Sequence, residues 1–242
     1  MADVAKLADA ADLKSAFRKE VRVRFPPSAP EKNEVLEVRQ LHLWRGERHL
    51  LEGLSLGLAA GQALQLLWPN GTGKTSLLRC IAGFLHAEGG DILWQGAPVK
   101  RDRDAFHREL AYLGHEPALK GDLTALENLR YSLGLRHRVT DAQLREALRV
   151  AGLAHLDPAQ PVRSFSAGQQ KRVALARLSL WGAGLWLLDE PAANLDAAGQ
   201  AVVVEFLSRH LAAGGCALIA THQPLNLPGA DSREWREPRV AA

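Results

Sequence analysis

The stretch from Leu64 to Arg79, LQLLWPNGTGKTSLLR, constrains this chain more than any other. An apolar run ends at Trp68, a glycine-rich loop follows, and Gly73-Lys74-Thr75 closes the phosphate-binding pattern G-x-x-x-x-G-K-[ST]. A loop of this kind wraps phosphates with successive backbone N–H groups, and the next helix turns its positive end toward them. Pro69, Asn70, Gly71, Thr72 and Gly73 would form the cradle, with Gly71 and Gly73 permitting its tight curvature. Lys74 is placed to reach the β- and γ-phosphates, and Thr75 to hold Mg²⁺ through its hydroxyl. The pattern requires a strand before it and a helix after it. QALQLLW supplies the strand, and TSLLRCIAGFL places Leu77, Leu78, Ile81, Phe84 and Leu85 on one helical face. One letter departs from the pattern. Trp68 stands where the first glycine belongs, so its indole must fold over the loop mouth or wedge into the core, and weakened but detectable binding is expected.

The flanking chain reads as alternating strand and helix. VLEVRQLHLW and GLSLGLAAG alternate apolar and polar residues, as half-buried antiparallel strands do. From Glu116 to Phe165 the pattern is helical, with capping-box spacing at Thr124/Glu127 and Thr140/Gln143. GLWLLDE and CALIATH are continuous apolar runs suited to parallel strands buried on both faces, and a helix rich in Val202–Val204, Phe206 and Leu207 lies between them. The expected fold is α/β: one domain from 35 to 228, with a mostly parallel core, a small antiparallel β subdomain ahead of that core and a helical subdomain at about 116–165, followed by 229–242 as a tail. Residues 1–34 stand apart. A short helical pattern, alternating charge and a Pro-rich break at Pro26, Pro27 and Pro30 predict an extension that is disordered or not native, like a transfer-RNA gene read as protein.

Asp189 and Glu190 close the strand GLWLLDE; such an aspartate can join a Mg²⁺ shell and such a glutamate can polarise an attacking water. Bulk composition narrows the partners. The formal charge of +3 over 242 residues is nearly balanced and lacks a dense Lys/Arg run, so nothing argues for nucleic acid. No apolar run approaches the ~18 residues of a membrane span. Cys80 and Cys216 sit in apolar surroundings without metal or redox spacing, so buried thiols are expected in a cytosolic protein.

With SFSAGQQKRVALAR the pieces combine, and the chain from Leu36 to Pro224 resembles the ATP-binding subunit of ABC transporters. Their signature LSGGQ appears as Phe165-Ser166-Ala167-Gly168-Gln169, ANLD ending at Asp196 resembles their D-loop, and His222 in ATHQP resembles their switch histidine. The resemblance implies a P-loop NTPase of ABC type that uses ATP and Mg²⁺. It implies head-to-tail pairing with a second ATP-binding subunit, giving a homodimer, with ATP between Lys74 of one copy and Ser166, Gly168 and Gln169 of the other. Glu190 would activate water and His222 would sense the γ-phosphate. YLGHEPALKGDLTALENL, the spelling FSAGQQ and THQPLN are similar to the ATPases of bacterial cytochrome c maturation. That similarity implies integral membrane permease partners, a peripheral place on the cytoplasmic face of the inner membrane, and haem export or release of a haem-loaded chaperone.

Two further departures bear on the site. Glu116 occupies the Q-loop position, where the family has a glutamine touching Mg²⁺ and the attacking water; its carboxylate could bind the metal yet adds charge beside the triphosphate. The adenine-stacking aromatic is displaced, with Arg45 near its position and Trp44 one residue earlier. Trp68 and Glu116 together raise an alternative, a catalytically impaired nucleotide-binding scaffold. A DNA- or ribosome-directed ATPase is disfavoured, because such proteins carry two ATPase units or long insertions.

Overall fold

The computed structural model describes residues 34–134 and 138–236. The expectation for residues 1–34 therefore falls, Glu34 excepted, outside the described residues.

A parallel sheet forms the centre. β3 (Gln62–Leu66), β6 (Leu110–Leu113), β7 (Leu185–Asp189), β8 (Cys216–Ala220) and β9 (Asp231–Trp235) assemble in the order β6-β7-β8-β3-β9. Their side chains split by the strand period of two. Leu64, Leu66, Leu185, Leu187, Cys216 and Leu218 face one buried cluster, while Ala63, Trp186, Leu188, Ala217 and Ile219 face another. Being buried on both faces is why β7 and β8 read as unbroken apolar runs.

The first cluster packs α1 (Lys74–Ile81) and an antiparallel sheet against the core. That second sheet runs β2-β1-β4-β5, from β1 (Glu34–Arg45), β2 (Arg48–Ala59), β4 (Gly89–Trp94) and β5 (Ala97–Pro98). The subdomain thus draws on strands from both sides of the phosphate loop. A short helix α2 (Arg103–Arg108) leads into β6. The second cluster holds α3 (Ala125–Gly134), α4 (Asp141–Val150), α5 (Ala167–Leu180) and α6 (Ala197–Ala212). Both expected capping boxes form: Thr124 N–H donates to Glu127 at 2.8 Å, and the Thr140 pair closes in both directions. Ahead of α3 the chain is a loop, stapled by buried Asn128, whose amide meets Lys120 N–H and the carbonyls of Lys120, Leu123 and Thr124.

Two expectations need correction. α1 ends at Ile81 because Gly83, at φ 79, reverses the chain, and Phe84 N–H closes onto Arg79 O at 2.8 Å. Phe84 is accordingly 60% exposed instead of lying on the core face. The segment expected to be a tail from 229 contains β9, which pairs with β3 in parallel. Its sequence, DSREW, hides the strand because an edge strand needs little apolar periodicity. Of the two places expected for the Trp68 indole, the structure takes the second, wedged into the core. Trp68 is 1% exposed, and its ring meets Trp235 edge-on at 5.1 Å.

Two outcomes follow from this packing. Trp68→Gly removes a fully buried indole and leaves Trp235 without its partner ring. It is expected to cost at least about 3 kcal/mol, read as a lower midpoint in urea unfolding. Burial pushes the Cys80 thiol up to about 11 and the Cys216 thiol up to about 12, so thiolate is scarce at neutral pH. At pH 8 the native protein is expected to resist a thiol reagent that labels both cysteines once urea is added.

Candidate nucleotide site

The parallel register sets the C-terminal ends of β3, β8 and β7 at one level, with Leu66 opposite Ala220 and Ala220 opposite Asp189. Loops leaving those ends converge on a cleft of about 410 Å³, lined by Pro69, Asn70, Gly71, Gly73, Lys74 and Thr75 together with Asp189, Glu190 and His222. A larger cavity of about 680 Å³ lies at the opposite ends of β7 and β8, beside Trp186 and His210, away from all these groups.

The loop turns on two left-handed glycines. Gly73 precedes α1 at φ 104, which a side chain would rarely tolerate, and Gly71 stands at φ 75. Thr72 Oγ1 donates to Pro69 O at 2.7 Å and closes the bend. Lys74 Nζ folds back on the loop and donates to Trp68 O at 2.5 Å. Desolvation lowers the Lys74 pKa, while the Glu190 and Asp189 charges oppose that shift. Lys74 is buried, and the carbonyls of Trp68 and Pro69 meet its ammonium.

Across from Lys74, Asp189 is buried and accepts from Thr75 Oγ1 at 3.1 Å. A hydroxyl paired with a carboxylate beside a phosphate cradle is a hard-oxygen donor set that suits Mg²⁺, whose remaining ligands come from phosphate and water. Glu190 adopts φ 51, a left-handed conformation rare outside glycine, and its Oε1 lies 3.2 Å from His222 Nε2. The two side chains thereby share one mouth of the cleft.

The remaining expected residues divide sharply. Trp68 contributes its carbonyl, its ring being turned into the core, so nothing in the cleft favours an impaired scaffold on its account. Glu116 is exposed and is not among the lining residues; His115 stands there instead. A third carboxylate beside Asp189 and Glu190 would be repelled by both. Ser166, Gly168 and Gln169 do not line the cleft of their own chain. Ser166 caps α5, accepting from Gln169 N–H while the Gln169 side chain returns to Ser166 N–H at 2.8 Å. Asp196 caps α6 through Gly199 N–H at 2.8 Å.

The hairpin β1–β2 settles which basic or aromatic residue meets the cleft. Arg45 pairs with Arg48 and Trp44 with His49, so the strand period sends the two pairs to opposite sides. Arg45 and Arg48 line the cleft, whereas Trp44, 45% exposed, stacks on His49 with ring centroids 4.2 Å apart. Arg48 was findable: a two-residue turn at Gly46-Glu47 implies that register.

Comparison with known proteins agrees with this geometry. A family model described as ABC transporter matches residues 51–193. The chain is 48% identical over 196 residues to the cytochrome c biogenesis ATP-binding export protein CcmA 2 of Salmonella paratyphi A, spanning 81% of this chain and 92% of that relative. It is 47% identical over 194 residues to the corresponding CcmA of Escherichia coli O6:H1, spanning 80% and 91%. Among solved structures, an ATP-binding protein of a putative ABC transporter from Pyrococcus furiosus superposes with a TM-score of 0.71 at 24% identity, over 82% of this chain and 96% of that one. A dimeric post-hydrolysis structure of the ATP-binding cassette MJ0796, bound to ADP and Pi, gives 0.69 at 22% identity, over 78% and 88%. These two likenesses establish the fold.

Replacing Arg45 and Arg48 together by alanine is expected to lower ATP affinity about tenfold, ~1.4 kcal/mol, in equilibrium titration. Trp44→Ala, on the other side of the hairpin, should leave it nearly unchanged.

Proposed function

The chain belongs to the ABC transporter family, and from that premise we propose that it is the ATP-hydrolysing subunit of a complex for c-type cytochrome biogenesis. The observation that carries this reading is the convergence of Lys74, Thr75, Asp189, Glu190 and His222 on one cleft. The relatives named for cytochrome c biogenesis, matched over nine-tenths of their length, supply the process.

The chemistry follows from the chain's own groups. Backbone N–H groups of 71–75 and the Lys74 ammonium would bind the β- and γ-phosphates, Lys74 leaving Trp68 O to do so. Arg45 and Arg48 would cover the base with planar guanidinium groups. Bound Mg²⁺, held by Thr75 and Asp189, would offset charge on the phosphate oxygens. Glu190 would take a proton from the attacking water, and His222, 3.2 Å from it, would hydrogen-bond the γ-phosphate and keep the carboxylate aimed.

One chain offers only half of the groups this chemistry needs. Ser166, Gly168 and Gln169 open α5 outside their own cleft, and the α5 N-terminus favours an anion brought by another molecule. In a head-to-tail homodimer each copy would present this end, with Asp196 nearby in the interface, to the other copy's triphosphate. No helix among the described residues is long and apolar enough to cross a membrane. Coupling to separate membrane permease subunits at the cytoplasmic face therefore completes the reading, with haem export or release of a haem-loaded chaperone as the work done.

Glu190→Gln tests it. The variant should hold ATP with unchanged affinity while turnover falls at least about 100-fold, and it should fail to restore c-type cytochromes in a bacterium lacking its own such ATPase. Full turnover by that variant would overturn the role of Glu190, and restored cytochromes from an inactive chain would overturn the coupling.

A further inference from the structure

Helix α5 carries a buried ammonium that the chemistry above leaves idle. Lys171, in the second turn after Ser166, is 6% exposed, and its Nζ donates to Glu190 O at 2.5 Å and to Ala193 O at 3.3 Å. Taking an ammonium out of water is costly unless its donors are met, and here two backbone carbonyls meet them. Burial pushes the Lys171 pKa down, while the charges of Glu190 and Asp189 oppose that shift.

What Lys171 holds is the turn that aims the proposed base. Glu190 sits at φ 51, outside the region a side chain prefers, so its backbone must be fixed from without. Its N–H donates to Ala220 O at 2.8 Å, which ties one side to β8. Its carbonyl accepts from Ala193 N–H at 3.2 Å and from Lys171 Nζ. Without the ammonium, only the turn's own long bond would restrain that carbonyl.

We infer that Lys171 is a positioning residue: it locks the Glu190–Ala193 turn so that the Glu190 carboxylate faces the phosphate cleft, and joins that turn to the helix begun by Ser166. The inference rests on the reading of Glu190 as the base. In the proposed dimer the same rigid helix touches one triphosphate with its first residues and, through Lys171, steadies the base acting on the other. A small displacement of α5 on nucleotide binding would then reach Glu190 through two hydrogen bonds.

The test uses the full chain, with Lys171→Met, Lys171→Arg and Glu190→Gln beside the parent. ATP affinity, kcat, thermal midpoint and amide exchange across 189–196 are measured for each. Lys171→Met should keep ATP affinity and thermal midpoint close to the parent, lose kcat about 100-fold, and speed exchange at the Ala193 amide while other core amides stay protected. Lys171→Arg, which can also serve two carbonyls, should recover most of the turnover. Turnover by Lys171→Met within about twofold of the parent, well inside one such loss, would overturn the inference. So would joint loss of affinity, midpoint and core protection without recovery by arginine, which marks a plain structural role. Should the base reading itself be wrong, Glu190→Gln would continue to hydrolyse ATP whatever the Lys171 variants do.

Discussion

The register of β7, β8 and β3 is the constraint on which the rest of the molecule depends. These strands are buried on both faces, so every backbone N–H and C=O must find its partner in the ladder, and a slip of one residue would exchange the side chains that the two clusters receive. The same ladder sets Leu66, Ala220 and Asp189 at one level. From that level the phosphate loop, the segment carrying His222 and the acidic turn at Glu190 all emerge on one side. The site is therefore a by-product of satisfying the core's hydrogen bonds. Thr75 and Asp189 meet at 3.1 Å although more than a hundred residues separate them in sequence.

Trp68 shows how far a motif letter can depart while the loop keeps its backbone course. A glycine at this place normally avoids contact between a Cβ and its surroundings. Here the edge strand β9 supplies an alternative: Leu67 N–H bonds Trp235 O at 2.9 Å, and the Trp235 ring receives the indole. The backbone still delivers the Trp68 carbonyl to Lys74. The phosphate cradle asks for backbone direction and not for an empty side chain, so the departure is absorbed by the core beneath the loop.

How much was legible in the sequence follows from which forces are local. Buried strands, the phosphate loop and the capping boxes at Thr124 and Thr140 depend on neighbours in the chain, and their residues announced them. Lys74 and Asp189 were readable because one begins α1 and the other ends β7, with Glu190 directly after it, while His222 was singled out by the family resemblance. Elsewhere the deciding contacts join distant segments. DSREW becomes a strand only because β3 offers an open edge. The loop at 114–116 turns His115 instead of Glu116 into the cleft, a choice that the letters of that loop alone do not make. The sides taken by Trp44 and Arg45 depend on a hairpin register that needed Arg48 to be counted.

Helix α5 combines both kinds of information. Its amphipathic spacing is modest, since its polar side chains do not simply face solvent. Gln170 reaches Val162 O and Phe165 O, Lys171 reaches Glu190 O, Arg172 reaches Ala151 O, and Arg177 reaches Pro117 O and Ala118 O at 3.1 and 2.9 Å. Each is a long side chain spanning from a rigid rod to a loop that must take an irregular path. Carbonyls in such loops have no ladder to satisfy them, and a buried cation is a strong donor to offer. One helix thus fixes, by the same physical means, the turn carrying the proposed base and the loop following Glu116. Because a packed helix moves as a unit rather than bending continuously, a load applied at Ser166 in the proposed dimer would reach both loops together.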